Sequence, residues 1–403
     1  MKVSLHKCEN YSNENVAIAL KQIFDDFGGI GNFVKKGQTV LLKVNLVEKY
    51  NPAKACTTHP VVVEELAKLI TSCGAKCVVA DSPAVFYNKQ HVFKVYDVCG
   101  MTSACKNSGA TLNDNFNSVL VKNPNGKVSK QIEIIEIAKN CDVIINVAKF
   151  KSHMLTGYTG AVKNLFGLIP GLIKVQMHSN YPNLKDFCNF LIDIEQTVHD
   201  KIVFNIIDGI VGMEGAGPTS GTPVESKLII GGPDAYYTDC VEVKLMNLLP
   251  TEAPLLVQAQ QRGLIDENFN AEIVGDTLES VKLPHFKNVK VATESVARVI
   301  PKWLQPAFNR LCKKVPIIKP KQCKGCRKCK EHCPNKAIEM KKRKNGKEYA
   351  KINYNLCISC FCCQELCPFH VVKPRIPIGY KIIQHKQLKR DKQKSKQPQT
   401  NQP

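Results

Sequence analysis

Eight of the chain's nineteen cysteines belong to one pattern written twice. Cys323, Cys326, Cys329 and Cys333 form C-x2-C-x2-C-x3-C ahead of Pro334. Cys357, Cys360, Cys363 and Cys367 repeat it ahead of Pro368, starting 34 residues later. No other feature restricts the fold as strongly. Three cysteines at two-residue gaps wrap a tight loop around three corners of an iron–sulfur cubane. The fourth, after the longer gap, opens a short helix and reaches the other cubane. The pattern therefore predicts two [4Fe–4S] clusters. Cys323, Cys326, Cys329 and Cys367 are expected on the first, and Cys357, Cys360, Cys363 and Cys333 on the second. Zinc sites usually pair C-x2-C knuckles across a longer gap and do not need eight thiols in this doubled order.

The intervening residues suit that reading. Ile338–Arg343 and Lys347–Ile352 alternate around Asn345-Gly346, a hairpin signal. Gly325 and Ser359 keep the cluster loops small. The segment resembles the two-cluster bacterial-type ferredoxins over about residues 319–375. A module of this size lacks a large apolar core, and cross-ligation would tie its halves together. Cys362 adds a ninth thiol between two ligands and is read as a spare. The other ten cysteines show no metal spacing and read as buried structural thiols.

Length leaves room for at least one further domain: the chain has 403 residues with an ordinary hydrophobic fraction of 44%. Its formal charge of +21 is unevenly placed. Residues 1–300 hold 30 basic and 30 acidic side chains, and residues 301–403 hold 26 and 5. Uniformly basic nucleic-acid binding is thus the weakest of the readings, and the tail has no aromatics for stacking bases. Two oxidised cubanes with their thiolates would lower the charge to about +17. The N-terminal residues lack an apolar signal segment, and no run approaches the ~18 apolar residues of a membrane span. A reducing, cytoplasmic location is expected, which also fits so many thiols without a disulfide framework.

Residues 1–300 alternate β-branched runs with helical patterns. Strands are predicted at Thr39–Val44, Lys76–Ala80, Val143–Val147, Lys201–Ile207 and Lys227–Gly231. Helices are predicted at His59–Cys73, Leu184–Val198 and Ala235–Leu249. This alternation implies an α/β body with a mostly parallel sheet. Residues 301–318 read as a basic linker with a short helix near Trp303, residues 319–380 as the small α+β iron–sulfur domain, and residues 381–403 as a disordered basic tail.

Polar groups recur where the strands should end. They include Lys43 and Asn45, His59 after two threonines, Asp81-Ser82, and Lys149 with Lys151 and His153. Further along come Lys163, His178, Asp208 and Glu214. Open α/β sheets bind ligands beyond the carboxyl ends of their strands. Lys43, His59, Asp81, Lys151, His153, Lys163 and Asp208 are therefore candidates for one catalytic or binding site. Lysines near Gly-rich turns suit a small anionic ligand, carboxylate or phosphate. The glycines from Gly215 to Gly221 do not form G-x-G-x-x-G, and Gly160 to Gly167 lacks the ending of a phosphate-binding P-loop.

The strings KVNLV, THPVVVEELAKLI, VVADSP, INVAKFKSHMLTGYTGAVKNLFGLIPG, IIDGIVGMEGAGPTSGTP and IIGGPDAYYTDC resemble domain-of-unknown-function family 362 over roughly residues 1–300. Tyr236-Tyr237 departs from the small residues usual there. Members often carry a C-terminal ferredoxin module, so the resemblance implies this two-part architecture and supports the polar groups as a site. It brings no reaction with it. The combined expectation is an iron–sulfur electron-transfer protein with an anion site in its body. Two activities stay open: a ferredoxin-linked oxidoreductase, or a non-enzymatic carrier or cluster-assembly docking protein. An acidic electron-transfer protein is the expected partner.

Overall fold

The computed structural model describes residues 1–289, 291 and 314–377. The predicted helix near Trp303, the tail beyond residue 380 and Cys312 lie outside them. Two units divide the chain, Met1–Val289 and Lys290–Pro403.

The first unit is built on a nine-stranded sheet. Its strands are β1 (Lys2–Lys7), β2 (Thr39–Lys43), β3 (Lys76–Ala80), β4 (Thr111–Leu112), β7 (Val143–His153), β8 (Gly157–Tyr158), β9 (Ile202–Glu214), β10 (Thr222–Gly232) and β11 (Glu272–Gly275). A separate hairpin, β5 (Ser118–Lys122) and β6 (Gln131–Ile135), stands between β4 and β7 in the chain. The sheet order is β11-β1-β10-β9-β7-β2-β3-β4, with β8 turned back on β7. Pairing is parallel from β9 to β4 and antiparallel on both sides of β10. A mostly parallel sheet follows from the helical crossovers between its strands.

Alternation places two cores on opposite faces. Leu41, Ile144, Ala148 and Ile207 enter one, and Val40, Leu42, Ile145, Val147 and Ile206 enter the other. Strands buried on both faces read as continuous apolar runs. Helix Pro60–Ser72 shows how the local sequence sets an element. Pro60 fixes the first helical φ, while the His59 ring accepts a hydrogen bond from the Val61 amide as a cap. Its apolar side chains Val62, Val63, Leu66 and Ile70 recur at helical spacing and are buried.

Three strands run longer than their apolar runs suggested. The strand starting at Val143 continues to His153, that near Lys201 to Glu214, and that near Lys227 begins at Thr222. Lys149, Lys151, Asp208 and Glu214 are therefore inside strands, not beyond their ends. Cross-strand pairing absorbs them: Lys149 lies opposite Asp208, and Thr222 opposite Glu214. The helix starting at Ala235 stops at Leu245, short of the expected Leu249.

The second unit carries the cysteine repeats. The hairpin β13 (Ile338–Lys342) and β14 (Glu348–Ile352) turns through Gly346 at φ +78°, as the Asn-Gly signal requires. A second pair, β12 (Val315–Ile318) and β15 (Val372–Arg375), is antiparallel. The repeats share their backbone. Gly325 and Ser359 have φ 71° and 60°, Arg327 and Phe361 63° and 65°, and Lys336 and His370 49° and 51°. Left-handed conformations are costly for residues with a Cβ. Their recurrence at the same 34-residue offset shows that both cysteine loops take one shape.

Candidate functional site

Two small voids lie within the second unit. Cys323, Cys326 and Cys329 line the first together with Cys367 from the other repeat. Cys357, Cys360 and Cys363 line the second together with Cys333. Every described cysteine is a free thiol. No three Cys, His, Asp or Glu side chains among the described residues converge as a single metal ion requires. Each quartet instead surrounds a space, as four thiolates on a multi-iron body must. Amides point at sulfur in both halves: Ala350 donates to Cys323 at 3.5 Å and Ala337 to Cys333 at 3.2 Å. Burial, reinforced by neighbouring cysteines, pushes the Cys329 thiol up to about 12. Ionisation there calls for the positive charge iron supplies. The donor set thus fits two [4Fe–4S] clusters. Cys362 is buried and its thiol hydrogen-bonds Cys360, holding that group below the ordinary thiol range.

In the body, strand order reverses at β7. The chain runs from β2 outward to β3 and β4, then returns to β7 and continues to β9 on the other side. The crevice at such a reversal is where doubly wound folds bind ligands. Two charged groups sit there.

The first group is centred on Asp81. Lys43, fully buried at the end of β2, places Nζ 2.7 Å from this carboxylate and donates to the Val44 and Asn164 carbonyls at 2.6 and 3.1 Å. Lys174, on helix Ile173–Asn180, donates to the carbonyls of Ser82 and Ile169 at 2.5 and 2.6 Å. Burial lowers both lysines, Lys174 to about 7, and Asp81 opposes the shift in each. Lys163 adds to the positive field on Lys174. Gly167 lets the backbone close over the pair, since a Cβ there would stand 2.1 Å from Asp81 Oδ1 and 2.6 Å from Lys43 Nζ.

The second group is centred on Asp208. Its carboxylate accepts from Lys149 Nζ at 2.7 Å, the Tyr11 hydroxyl at 2.8 Å and the His59 amide at 2.9 Å. Lys149 also donates to the Tyr11 oxygen at 2.7 Å, and the Tyr11 ring stacks on His59 with centroids 3.5 Å apart. Burial lowers His59 to about 4, so its imidazole is neutral near pH 7.

Asn45 and Lys151 extend the first group. Lys151 Nζ donates to Asn45 Oδ1 at 2.6 Å and to the Cys56 carbonyl at 2.5 Å. Asn45 donates in turn to Asn164 Oδ1 at 2.8 Å, and the Asn164 carbonyl accepts from Lys43. Behind them Asn164 donates to Asn146, and Asn146 to Asn205, both near 2.8–2.9 Å. The hydrogen-bonded set therefore holds Lys43, Asp81 and Lys151 in one branch and His59 and Asp208 in another.

Two candidates stand apart from it. The buried His153 accepts from the Leu155 and Thr156 amides, which suits a turn cap between β7 and β8. Lys163 is partly exposed, with Nζ 5.8 Å from the Phe166 ring centre. His178 stacks on Phe187, and Glu214 accepts from the Lys287 amide. Sequence reasoning passed over Tyr11, Asn164 and Lys174. Asn164 lies in a polar string it quoted, but Tyr11 and Lys174 sit in unremarkable helical surroundings.

Residues 40–244 match the family described as Domain of unknown function (DUF362), and residues 322–371 match a 4Fe-4S dicluster domain. The thylakoid-associated protein sll1697 of Synechocystis is 32% identical over 271 residues, covering 65% of this chain and 79% of that protein. Among solved structures, the lactate racemase apoprotein of Thermoanaerobacterium thermosaccharolyticum superposes with a TM-score of 0.38 at 15% identity. That superposition covers 59% of this chain and 56% of the racemase, and at this score it carries no weight for fold or function. No helix among the described residues is long and apolar enough to cross a membrane.

Proposed function

The chain belongs to the DUF362 family and carries a 4Fe-4S dicluster domain, and from that premise we propose that it moves single electrons through two [4Fe–4S] clusters to or from a small anionic ligand held in its body. One observation carries the electron-transfer part: each four-cysteine void takes three cysteines from one repeat and one from the other. The first cluster would be held by Cys323, Cys326, Cys329 and Cys367, and the second by Cys357, Cys360, Cys363 and Cys333. Iron content tests this directly. The intact protein should hold about eight irons after anaerobic purification. Cys323→Ser with Cys367→Ser should lose no more iron than either alone, whereas Cys323→Ser with Cys333→Ser should lose both clusters. Additive loss in the first pair would refute the crossing.

For the body, Lys43 and Lys174 lie near the Asp81 carboxylate, with Lys163 adding to the positive field on Lys174, an arrangement of cations that suits an anion. Dithionite-reduced protein tested against small anionic acceptors should turn over. Lys151→Ala and Asp208→Ala should abolish that turnover with clusters intact. One observation favours the non-enzymatic carrier or docking protein: Lys43, Lys149 and Lys151 all aim their ammonium groups at acceptors within the chain. Unchanged turnover in both variants would select it. The cytoplasmic location and the acidic electron-transfer partner belong to the same proposal. The first is supported by the free thiols and the second by the basic C-terminal quarter. Fractionation would separate a free pool from one lying on a membrane surface.

A further inference from the structure

The two cysteine loops have the same backbone and opposite surfaces. Lys324, Arg327 and Lys328 of the first repeat correspond, 34 residues on, to Ile358, Phe361 and Cys362 of the second. Arg327 and Phe361 even share the left-handed conformation, at φ 63° and 65°. Yet Arg327 and Lys324 are exposed while Phe361 is buried at 2% exposure. All three basic residues line the first void, where Cys326 is also exposed. Among the described residues none that is charged lines the second void, which is walled by groups such as Pro316, Ile338, Ile352 and Phe361. Lys314 lies 5.7 Å from the Phe361 ring centre and is not part of that wall.

We propose that the cluster on Cys323, Cys326, Cys329 and Cys367 is the exchange end of the module, where an acidic one-electron carrier docks over Lys324, Arg327 and Lys328, and that the other cluster is the inner station. The inference rests on the two-cluster reading above. Cations close to the first cluster stabilise its extra electron, because reduction adds one negative charge. The apolar wall around the second gives no such help, so the first has the higher reduction potential. The same cations draw an acidic carrier to this side and orient it. Arg327 is held by Glu348 at 2.7 Å, which fixes the guanidinium but offsets part of its charge. Lys324 is thus the more informative residue to change.

The step is a one-electron transfer. The carrier loses one electron, the first cluster gains it, and no bond or proton is required. The test uses the full-length, iron-loaded protein. An EPR-monitored potentiometric titration of Lys324→Gln should move one of the two potentials negative and leave the other in place. Stopped-flow reduction by a reduced plant-type ferredoxin, an acidic carrier, should slow in Lys324→Glu. Reversing one charge about 6 Å from a carrier carboxylate in a water-like dielectric gives a slowing on the order of tenfold at low salt. The effect should fade at high salt. Reduction by methyl viologen radical, a cation, should not slow. Asn355→Glu, which adds the same charge at an exposed position that lines neither void, should leave the ferredoxin rate unchanged. If Lys324→Glu loses iron, Lys324→Gln with Lys328→Gln replaces it.

Equal slowing by Asn355→Glu, or a Lys324 variant that shifts both potentials or neither, would overturn the assignment of the exchange end. A protein without about eight irons would overturn the two-cluster reading instead. Reduction by viologen with no reduction by ferredoxin would refute the acidic carrier and this docking surface together.

Discussion

Replacing Asp208 by Asn keeps the shape of the site and removes one charge. Lys149 is 1% exposed and Asp208 is fully buried, so the substitution strands an ammonium group beside two neutral partners. Burial already lowers Lys149, and the Asp208 carboxylate is the largest opposing influence. Without it the folded protein's cheapest remedy is to release the lysine proton. An unfolded lysine titrates near 10.4, so releasing its proton at pH 7 costs at most 3.4 units at 1.36 kcal/mol each, about 4.6 kcal/mol. That ceiling falls within the roughly 3–5 kcal/mol typical of a broken buried pair. The sign follows from proton counting. In the variant the folded lysine is neutral while the unfolded one binds a proton, so stability rises with pH over this window. The deficit against the parent should therefore shrink by up to about 1.4 kcal/mol per pH unit between pH 7 and 10. Urea unfolding followed by circular dichroism at several pH values measures it. A deficit that stays constant with pH would refute the stranded-charge account and point to lost hydrogen bonds alone. Replacing both residues, Lys149→Met with Asp208→Leu, should recover much of the stability, because matched apolar groups need no partner.

Two other outcomes follow from the same site. His59 has a folded pKa near 4 against about 6.5 unfolded, so its stabilising contribution is complete above about pH 6.5 and is lost as pH falls toward 4. His59→Asn keeps a good helix cap and removes the titration, so its stability should fall less than the parent's over that range, by about 2–3 kcal/mol at most; parallel curves would count against it. Gly167→Ala would push a methyl group into the Lys43–Asp81 contact and should cost about 1–3 kcal/mol, whereas Gly31→Ala, with open space around it, should be close to neutral; thermal midpoints compare the two.

How much of this could be read from the chain depends on what each feature rests on. The cysteine module was legible because its ligands are set by local spacing, and the hairpin by a two-residue turn signal. Strands such as Lys76–Ala80 were legible because burial of Cys77, Val79 and Ala80 leaves a short apolar run. The extensions of β7 and β9 were not, because charged residues there look like strand ends until a neighbour pairs them. Lys149 and Asp208 are each poor strand residues alone and satisfy each other only through register. Tyr11 was hidden for a related reason. It precedes the helix Asn13–Asp25 in an ordinary capping segment, and only the folded body brings its hydroxyl to Asp208, 197 residues away.

The pairing also bears on how a body with as many acidic as basic residues could hold the proposed anion site. Neutrality over residues 1–300 says nothing about where the charges lie. Lys43, Lys149 and Lys151 are each at most 1% exposed, and Lys43 and Lys149 pair with Asp81 and Asp208. Lys151 donates to the neutral oxygens of Asn45 and Cys56, and burial lowers Lys174 among neutral carbonyls near Asp81. Buried pairs contribute little net stability against apolar replacements, so stability alone does not account for three lysines at the point where strand order reverses. An anion entering the crevice would add negative charge near Lys174 and would raise it back toward the ordinary lysine range. Ligand binding should then take up protons above about pH 7, a signal that calorimetry in buffers of different ionisation enthalpy detects without turnover. Binding with no change in protonation over that range would place the ligand elsewhere and leave these lysines as structural groups.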